Sequence, residues 1–287
     1  MCRFVAYRGA PLILDELLYQ PKNSLVHQSY HALERKDPVN ADGFGVGWYM
    51  PDINPTPALF VDTKPAWNNR NLRSLAPRIS SSCIFAHVRA AVFGAVIESN
   101  CHPFQYDKLL MMHNGTIRGF HQIRRKLRSR LSDETYDWIS GTTDSEHFFA
   151  LFLSHLLHKK KMTLYDEHQI IDALLIAINN IKEILNECSV DEHFSLNIAV
   201  TDGQCVVAAR YHSDPEKEPP TLYYSEKGCY QCREGTTEII HEKSSKQGIL
   251  IVSERLTDQE EDWHKIPSSH FVIVTQSLGI KILPIRL

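Results

Sequence analysis

Apolar residues come along this chain in short runs first, at helical spacing in the middle, and in short runs again toward the end. Residues 43–49 (GFGVGWY) read as a strand whose glycines let neighbouring backbones pack closely, and the Pro/Asp/Asn cluster from Pro51 to Pro57 reads as the loop after it. Residues 83–89 and 109–113 are further strand-like runs, the second stopping at Asn114-Gly115, a dipeptide that marks a tight turn. Thr143-Asp144-Ser145-Glu146 has the form of a helix start, so a buried helix is expected after Asp144, through the apolar run 148–153 and Leu156-Leu157. Residues 170–185 repeat apolar positions at helical spacing and predict a second long helix, after which 194–211, 221–225, 248–253 and 271–283 look like strands. Strands, two helices, then strands is a segregated order. It suits two antiparallel sheets packed face to face with helices outside them, an α+β layered architecture.

Composition narrows the class. The 287 residues are 43% hydrophobic with no run near membrane-spanning length, and no repeat or long polar linker divides them, so one domain over 2–287 is expected. Basic and acidic residues number 31 and 34, a formal net charge of −3, which implies no general attraction to nucleic acid or to an anionic membrane. The one basic run, Arg118, Arg124, Arg125, Lys126, Arg128 and Arg130, is interleaved with Ile123, Leu127 and Leu131 as on an amphipathic helix with a solvated basic face. The first residues lack the apolar stretch of a secretory signal, so a cytosolic location is expected, with Cys83, Cys188 and Cys205 reduced and acting as small hydrophobes. Cys229-Tyr230-Gln231-Cys232 has the gap of zinc and redox sites, but no second ligand pair follows at the usual spacing, although His241 lies downstream; no metal is expected. Asn114-Gly115-Thr116 matches a glycosylation acceptor and is set aside for a cytosolic chain, and the polar, proline-rich stretch 214–220 reads as a mobile surface connection.

Cys2 stands out by position. A second-position cysteine is by itself usually an accident. If Met1 is removed, however, its sulfur shares a residue with a free α-amino group of pKa about 7.7–8.0, so nucleophile and base travel together. Amide cleavage needs donors for the developing oxyanion, and Asn114-Gly115 offers a side-chain amide and a backbone N–H, if it is more than a turn. An α-amino acid substrate needs a fork for its carboxylate and a carboxylate for its ammonium group. Arg89 and Asp144 are candidates, each with a plainer alternative: a surface ion pair for Arg89 and a helix cap for Asp144. His113 reads as a packing residue beside Asn114.

Met1-Cys2-Arg3, Ala86-His87-Val88-Arg89, Asn100-Cys101-His102-Pro103-Phe104, His113-Asn114-Gly115 and Thr143-Asp144-Ser145-Glu146 follow one another in the order found in class II glutamine amidotransferases, and the chain resembles that family. The stretches 42–49, 253–256 and 263–267 extend the likeness over nearly the whole chain, toward short stand-alone members similar to γ-glutamyl hydrolases of glutathione degradation and ergothioneine biosynthesis. The resemblance implies an N-terminal nucleophile hydrolase fold, a four-layer αββα sandwich with the thiol at the start of a central strand. It implies Cys2 as nucleophile, Asn114 and Gly115 as oxyanion hole, Arg89 and Asp144 on the substrate α-carboxylate and α-amino group, and His102 in support of the pocket. It implies a thioester intermediate on a small γ-glutamyl substrate and no cofactor. Val92 departs from the family, many members of which carry a small hydroxyl residue there, so one hydrogen bond of about 0.5–1.5 kcal/mol to the substrate carboxylate is expected to be missing. Three functions stay open: a hydrolase of a γ-glutamyl compound, a glutaminase subunit feeding ammonia to a separate synthase, and a non-catalytic scaffold in which Met1 blocks Cys2. A partner subunit or a homo-oligomer is compatible with each.

Overall fold

The computed structural model describes residues 2–34, 38–91, 94–158, 165–233, 236–240 and 247–287. The order is β1 (Arg3–Ile13), α1 (Leu14–Leu18), α2 (Leu25–Tyr30), β2 (Phe44–Met50), β3 (Asn54–Asp62), α3 (Arg70–Leu75), β4 (Ser80–Val88), β5 (Phe104–Tyr106), β6 (Leu109–Ile117), α4 (Phe120–Arg128), α5 (Asp133–Trp138), α6 (Asp144–His158) and α7 (Glu167–Glu187). Then come β7 (Phe194–Thr201), β8 (Val206–His212), β9 (Tyr223–Ser225), β10 (Cys229–Arg233), β11 (Thr236–Ile240), β12 (Gly248–Val252), β13 (Trp263–Lys265), β14 (His270–Val274) and β15 (Ile280–Pro284). Two large antiparallel sheets result, β13-β9-β12-β1-β4-β2-β3 and β15-β14-β8-β7-β6-β5, with β1 at the centre of the first, while β10 and β11 pair as a separate two-stranded sheet.

The period of two along each strand sorts the core into three apolar zones. Phe4, Ala6, Cys83 and Phe85 of the first sheet meet Leu110, Met112, Ala199 and Ala208 of the second, and these fill the space between the sheets. The alternate residues Val5, Tyr7, Ala86 and Val88 pack instead on Leu17, Leu18, Leu25 and Leu72 of α1, α2 and α3. On the far side, Met111, Leu196 and Ile198 pack on Phe148, Phe152, Leu174 and Ile178 of α6 and α7. Helix, sheet, sheet, helix is the four-layer α+β sandwich that the sequence pattern and the resemblance predict. No helix of the described residues is long and apolar enough to cross a membrane.

Both predicted long helices are present. Thr143 Oγ1 accepts the Glu146 N–H at 3.2 Å and starts α6, and a reciprocal Asp166–Gln169 capping box starts α7. The basic run forms α4 with Ile123 and Leu127 buried, and beyond its end Arg130 bonds Glu183 and Glu187 of α7. Two expectations change. Residues 194–211 and 271–283 are hairpins, β7-β8 and β14-β15, rather than single runs. Asn114-Gly115 is not a turn: β6 runs straight through it, pairing Asn114 with Asn197 and Gly115 with Leu196. The glycine serves close approach instead, because a Cβ at residue 115 would stand 2.0 Å from the Ser195 carbonyl oxygen. Cys83 and Cys205 are buried as expected, and Cys188 is half-buried against the helical core. Glu216, Lys217 and Glu218 are exposed, while the buried Arg210 bonds the Pro219 and Pro220 carbonyls and so holds the end of that connection.

The glycine stripe predicted in 43–49 has a definite purpose. A Cβ on Gly43 would meet Cys101 Sγ at 2.6 Å, one on Gly45 the His102 carbonyl oxygen at 2.2 Å, and one on Gly47 Leu110 Cδ1 at 2.6 Å. Bare backbone on β2 therefore lets the segment carrying His102 lie directly on the strand. Gly45→Ala is expected to cost about 1–3 kcal/mol by overpacking. Denaturant unfolding checks this, and a parental stability would refute it.

Candidate active site

Strand periodicity and register bring the candidate residues to one end of the sandwich. Arg3 pairs with Val88, so Cys2, just before β1, and Arg89, just after β4, share the inner face with Phe4, Phe85 and His87. Cys2, Arg89, His102, Gly115 and Asp144 line one cavity together with His113 and Ser145. Asn114 lies behind this lining, 2% exposed, on the inter-sheet face that Leu110 and Met112 also occupy. A larger cavity of about 570 Å³ between β3, β5 and α5 touches none of the predicted residues. Convergence of chemistry, not size, selects the site.

The Cys2 thiol is held by Ala90: the Ala90 N–H points at Sγ from 3.4 Å, and Sγ lies 3.6 Å from the Ala90 carbonyl oxygen. Cys2 itself is half-exposed, with one backbone donor and one backbone acceptor at its sulfur. The buried thiols differ, because burial pushes Cys83 up to about 12 and Cys101 up to about 11, so neither is a nucleophile near neutral pH. Arg3 anchors the residue from the other side. Its Nη1 donates to the Cys2 carbonyl at 3.0 Å, and its Nε meets Glu254 at 2.5 Å in a pair that is almost wholly buried. Glu254 also accepts the N–H groups of Leu33 and Glu34, so one carboxylate ties the start of β1 to the loop after α2.

Arg89 is 3% exposed and its Nη1 donates to the Asp42 and Ala95 carbonyls at 3.4 and 3.2 Å; a surface ion pair is therefore excluded as its role. The Asp42 carboxylate accepts the Ala91 N–H at 2.8 Å. Asp144 opens α6 but is not its cap, a task that falls to Thr143. The Asp144 Oδ2 accepts the Ile117 N–H and Oδ1 the Ser145 N–H, both at 2.8 Å, which aims a half-buried carboxylate at the cavity. His102 is 3% exposed and its ring lies between those of His87 and Phe104, tilted to both, at 4.3 and 4.4 Å between ring centroids. Neither of its ring nitrogens has a hydrogen-bond partner among the described residues.

Two residues with no role assigned from sequence complete the arrangement. His87 Nε2 lies 3.0 Å from Asn114 Oδ1, and Asn114 Nδ2 donates to Ser253 Oγ at 2.8 Å. His113 Nε2 faces the Ser195 carbonyl and its Nδ1 faces Ser145 Oγ, and burial lowers its pKa. Both His87 and Ser253 fall inside stretches that carry the family resemblance, but nothing local to either reveals a partner on another strand. Val92, His241 and the Cys232 side chain lie outside the described residues.

A model of the family described as Glutamine amidotransferases class-II matches residues 22–281. The chain belongs to the class II glutamine amidotransferases. It is 38% identical to probable glutamine amidotransferase DUG3 of Saccharomyces cerevisiae, over 96% of this chain and 82% of the relative. It is 28% identical to a gamma-glutamyl-hercynylcysteine sulfoxide hydrolase of Mycolicibacterium smegmatis, over 96% of each. A solved structure, that of a glutamine aminotransferase class-II domain protein from Silicibacter pomeroyi, covers 99% of both chains with a TM-score of 0.67 at 27% identity. In this chain a buried arginine, an oriented carboxylate and a half-exposed thiol line one cavity. Cys2 itself precedes the residues matched to the family model.

Proposed function

We propose that this amidotransferase hydrolyses the γ-glutamyl amide bond of glutamine or of a γ-glutamyl compound through a thioester on Cys2. The observation that carries the proposal is the convergence of the Cys2 thiol with Arg89 and Asp144 on one cavity. A glutamyl group with its α-carboxylate on Arg89 and its α-ammonium on Asp144 presents its γ-carbon to the sulfur. With Met1 removed, the Cys2 amine takes the thiol proton; sulfur attacks the γ-carbonyl carbon, and the Gly115 N–H and Asn114 amide receive the oxyanion. The C–N bond breaks as the same amine returns the proton to the leaving nitrogen. Water, deprotonated by that amine, then cleaves the thioester to glutamate and free thiol. His102 supports the glutamyl pocket wall, and no cofactor enters any step.

A γ-glutamyl compound larger than glutamine is the favoured substrate, because the relative matched over 96% of both chains is named for one. The name of the yeast relative keeps the glutaminase-subunit reading as the second choice. Residues 2–287 act as one catalytic unit in the cytosol under either. The test is intact mass before and after treatment with 6-diazo-5-oxo-norleucine, followed by peptide mapping. Loss of Met1 and a single adduct on Cys2 are expected; retained Met1 without an adduct would replace both readings with that of a scaffold.

A further inference from the structure

We propose that His87 and Ser253 are positioning residues of the oxyanion site, clamping the Asn114 carboxamide between them so that one Nδ2–H is left for the substrate. This rests on the assignment of Asn114 as an oxyanion donor under the function proposed above. Asn114 continues the face of β6 on which Leu110 and Met112 fill the apolar space between the sheets. A carboxamide there is costly unless bonded, and its orientation follows from its partners. Both come from the opposite sheet: His87 from β4, and Ser253 from the residue after β12.

The direction of the clamp is determined by proton count. His87 is fully buried, and burial holds its pKa down to about 3, so the ring carries one proton at neutral pH. Its Nδ1 has no hydrogen-bond partner among the described residues, and a proton there would be an orphaned buried donor; the proton belongs on Nε2, facing an oxygen. That places the Asn114 oxygen toward His87 and the NH₂ toward Ser253. Ser253 Oγ in turn accepts the Phe4 N–H at 3.0 Å, and the Ser253 N–H donates to the Phe4 carbonyl at 3.1 Å. The serine is therefore fixed to the strand that Cys2 begins. Its carbonyl accepts from Thr221 Oγ1, and the Thr221 carbonyl accepts from Asn197 Nδ2, the residue paired with Asn114 across the sheet. Ser253 takes one Nδ2 hydrogen and leaves the other. With the clamp removed, the amide can turn its oxygen toward the oxyanion, where it repels.

The experiment measures kcat and KM on γ-glutamyl-p-nitroanilide for His87→Leu, His87→Gln and Ser253→Ala, each in the parent and in an Asn114→Ala background. In the parent, His87→Leu and Ser253→Ala should lower kcat roughly 10- to 100-fold, short of the roughly 10²–10³-fold loss on deleting such a donor outright. KM should stay within about twofold, since the proposed contacts to the α-carboxylate and α-ammonium are made by Arg89 and Asp144 and not by Asn114. His87→Gln, which keeps a side-chain N–H, should recover most of the loss. In the Asn114→Ala background neither substitution should lower kcat further, because residues that act only through Asn114 have nothing left to position. Unchanged kcat in the parent, or losses that add fully in the Asn114→Ala background, would overturn the assignment and leave ordinary packing residues. If His87→Leu does not fold, Ser253→Ala, which removes a single oxygen, decides alone. Turnover in the parent that does not depend on Cys2 would instead sink the hydrolase mechanism, and this assignment with it.

Discussion

Cys2→Ala is expected to abolish turnover, by about 10⁴-fold or more, while leaving the fold intact. Loss of a catalytic nucleophile has effects of that order because binding and the oxyanion donors alone supply little chemistry. The fold should survive because the side chain is half-exposed and the contacts of its sulfur include backbone groups of Ala90 that an alanine leaves in place. The substitution is also selective: the alanine keeps the α-amino group and the carbonyl held by Arg3, so a loss of activity assigns the thiol and not the amine. The checks are kcat on a γ-glutamyl substrate and the thermal midpoint. Retention of more than about one part in ten of the parental kcat would show that a different group attacks.

Stability should fall steeply as the pH drops below about 6.5. Burial holds His87 down to about 3 and His147 down to about 4, and it lowers His102 and His113 as well. Each is neutral in the fold, yet in the unfolded chain each takes up a proton near pH 6.5. The unfolded state therefore binds more protons, and stability rises with pH. The contribution is fully present above the unfolded pKa and is lost as the pH falls from there toward the folded values. Each fully linked group contributes at most about 1.4 kcal/mol per pH unit, so several together remove a large part of a typical stability of about 5–15 kcal/mol by pH 5. Glu146, whose carboxyl burial raises, works the other way, but it is one group. Denaturant unfolding at pH 7.5, 6.5, 5.5 and 5.0 measures the slope. A flat profile over that range would mean that the buried histidines bind protons without leaving their sites.

Local pattern carries much of the architecture. Periodicity suffices for α6, α7 and the amphipathic α4, because apolar spacing reports which face of an element is covered, and that is a property of neighbouring residues. The α+β layering follows from the order of elements, and the glycines of 43–49 mark the close approach that seats His102. Motifs in family order name Cys2, Arg89, His102, Gly115 and Asp144, which the fold brings to one cavity.

Where local signals and tertiary contacts disagree, the tertiary contacts win. Asn-Gly favours a turn in an isolated chain, but pairing with β7 across Gly115 and bonds from Asn114 to His87 of β4 and to Ser253 just after β12 outweigh that preference. The clamp on Asn114 and the Arg3–Glu254 pair join residues 139 and 251 positions apart. No window along the chain contains both partners. The sequence alone determined which elements form and which residue types could carry the chemistry, since dihedral preference and apolar spacing act over a few residues. Only the packed sandwich decided which side chains meet, since strand register and sheet stacking determine contacts between residues hundreds of positions apart.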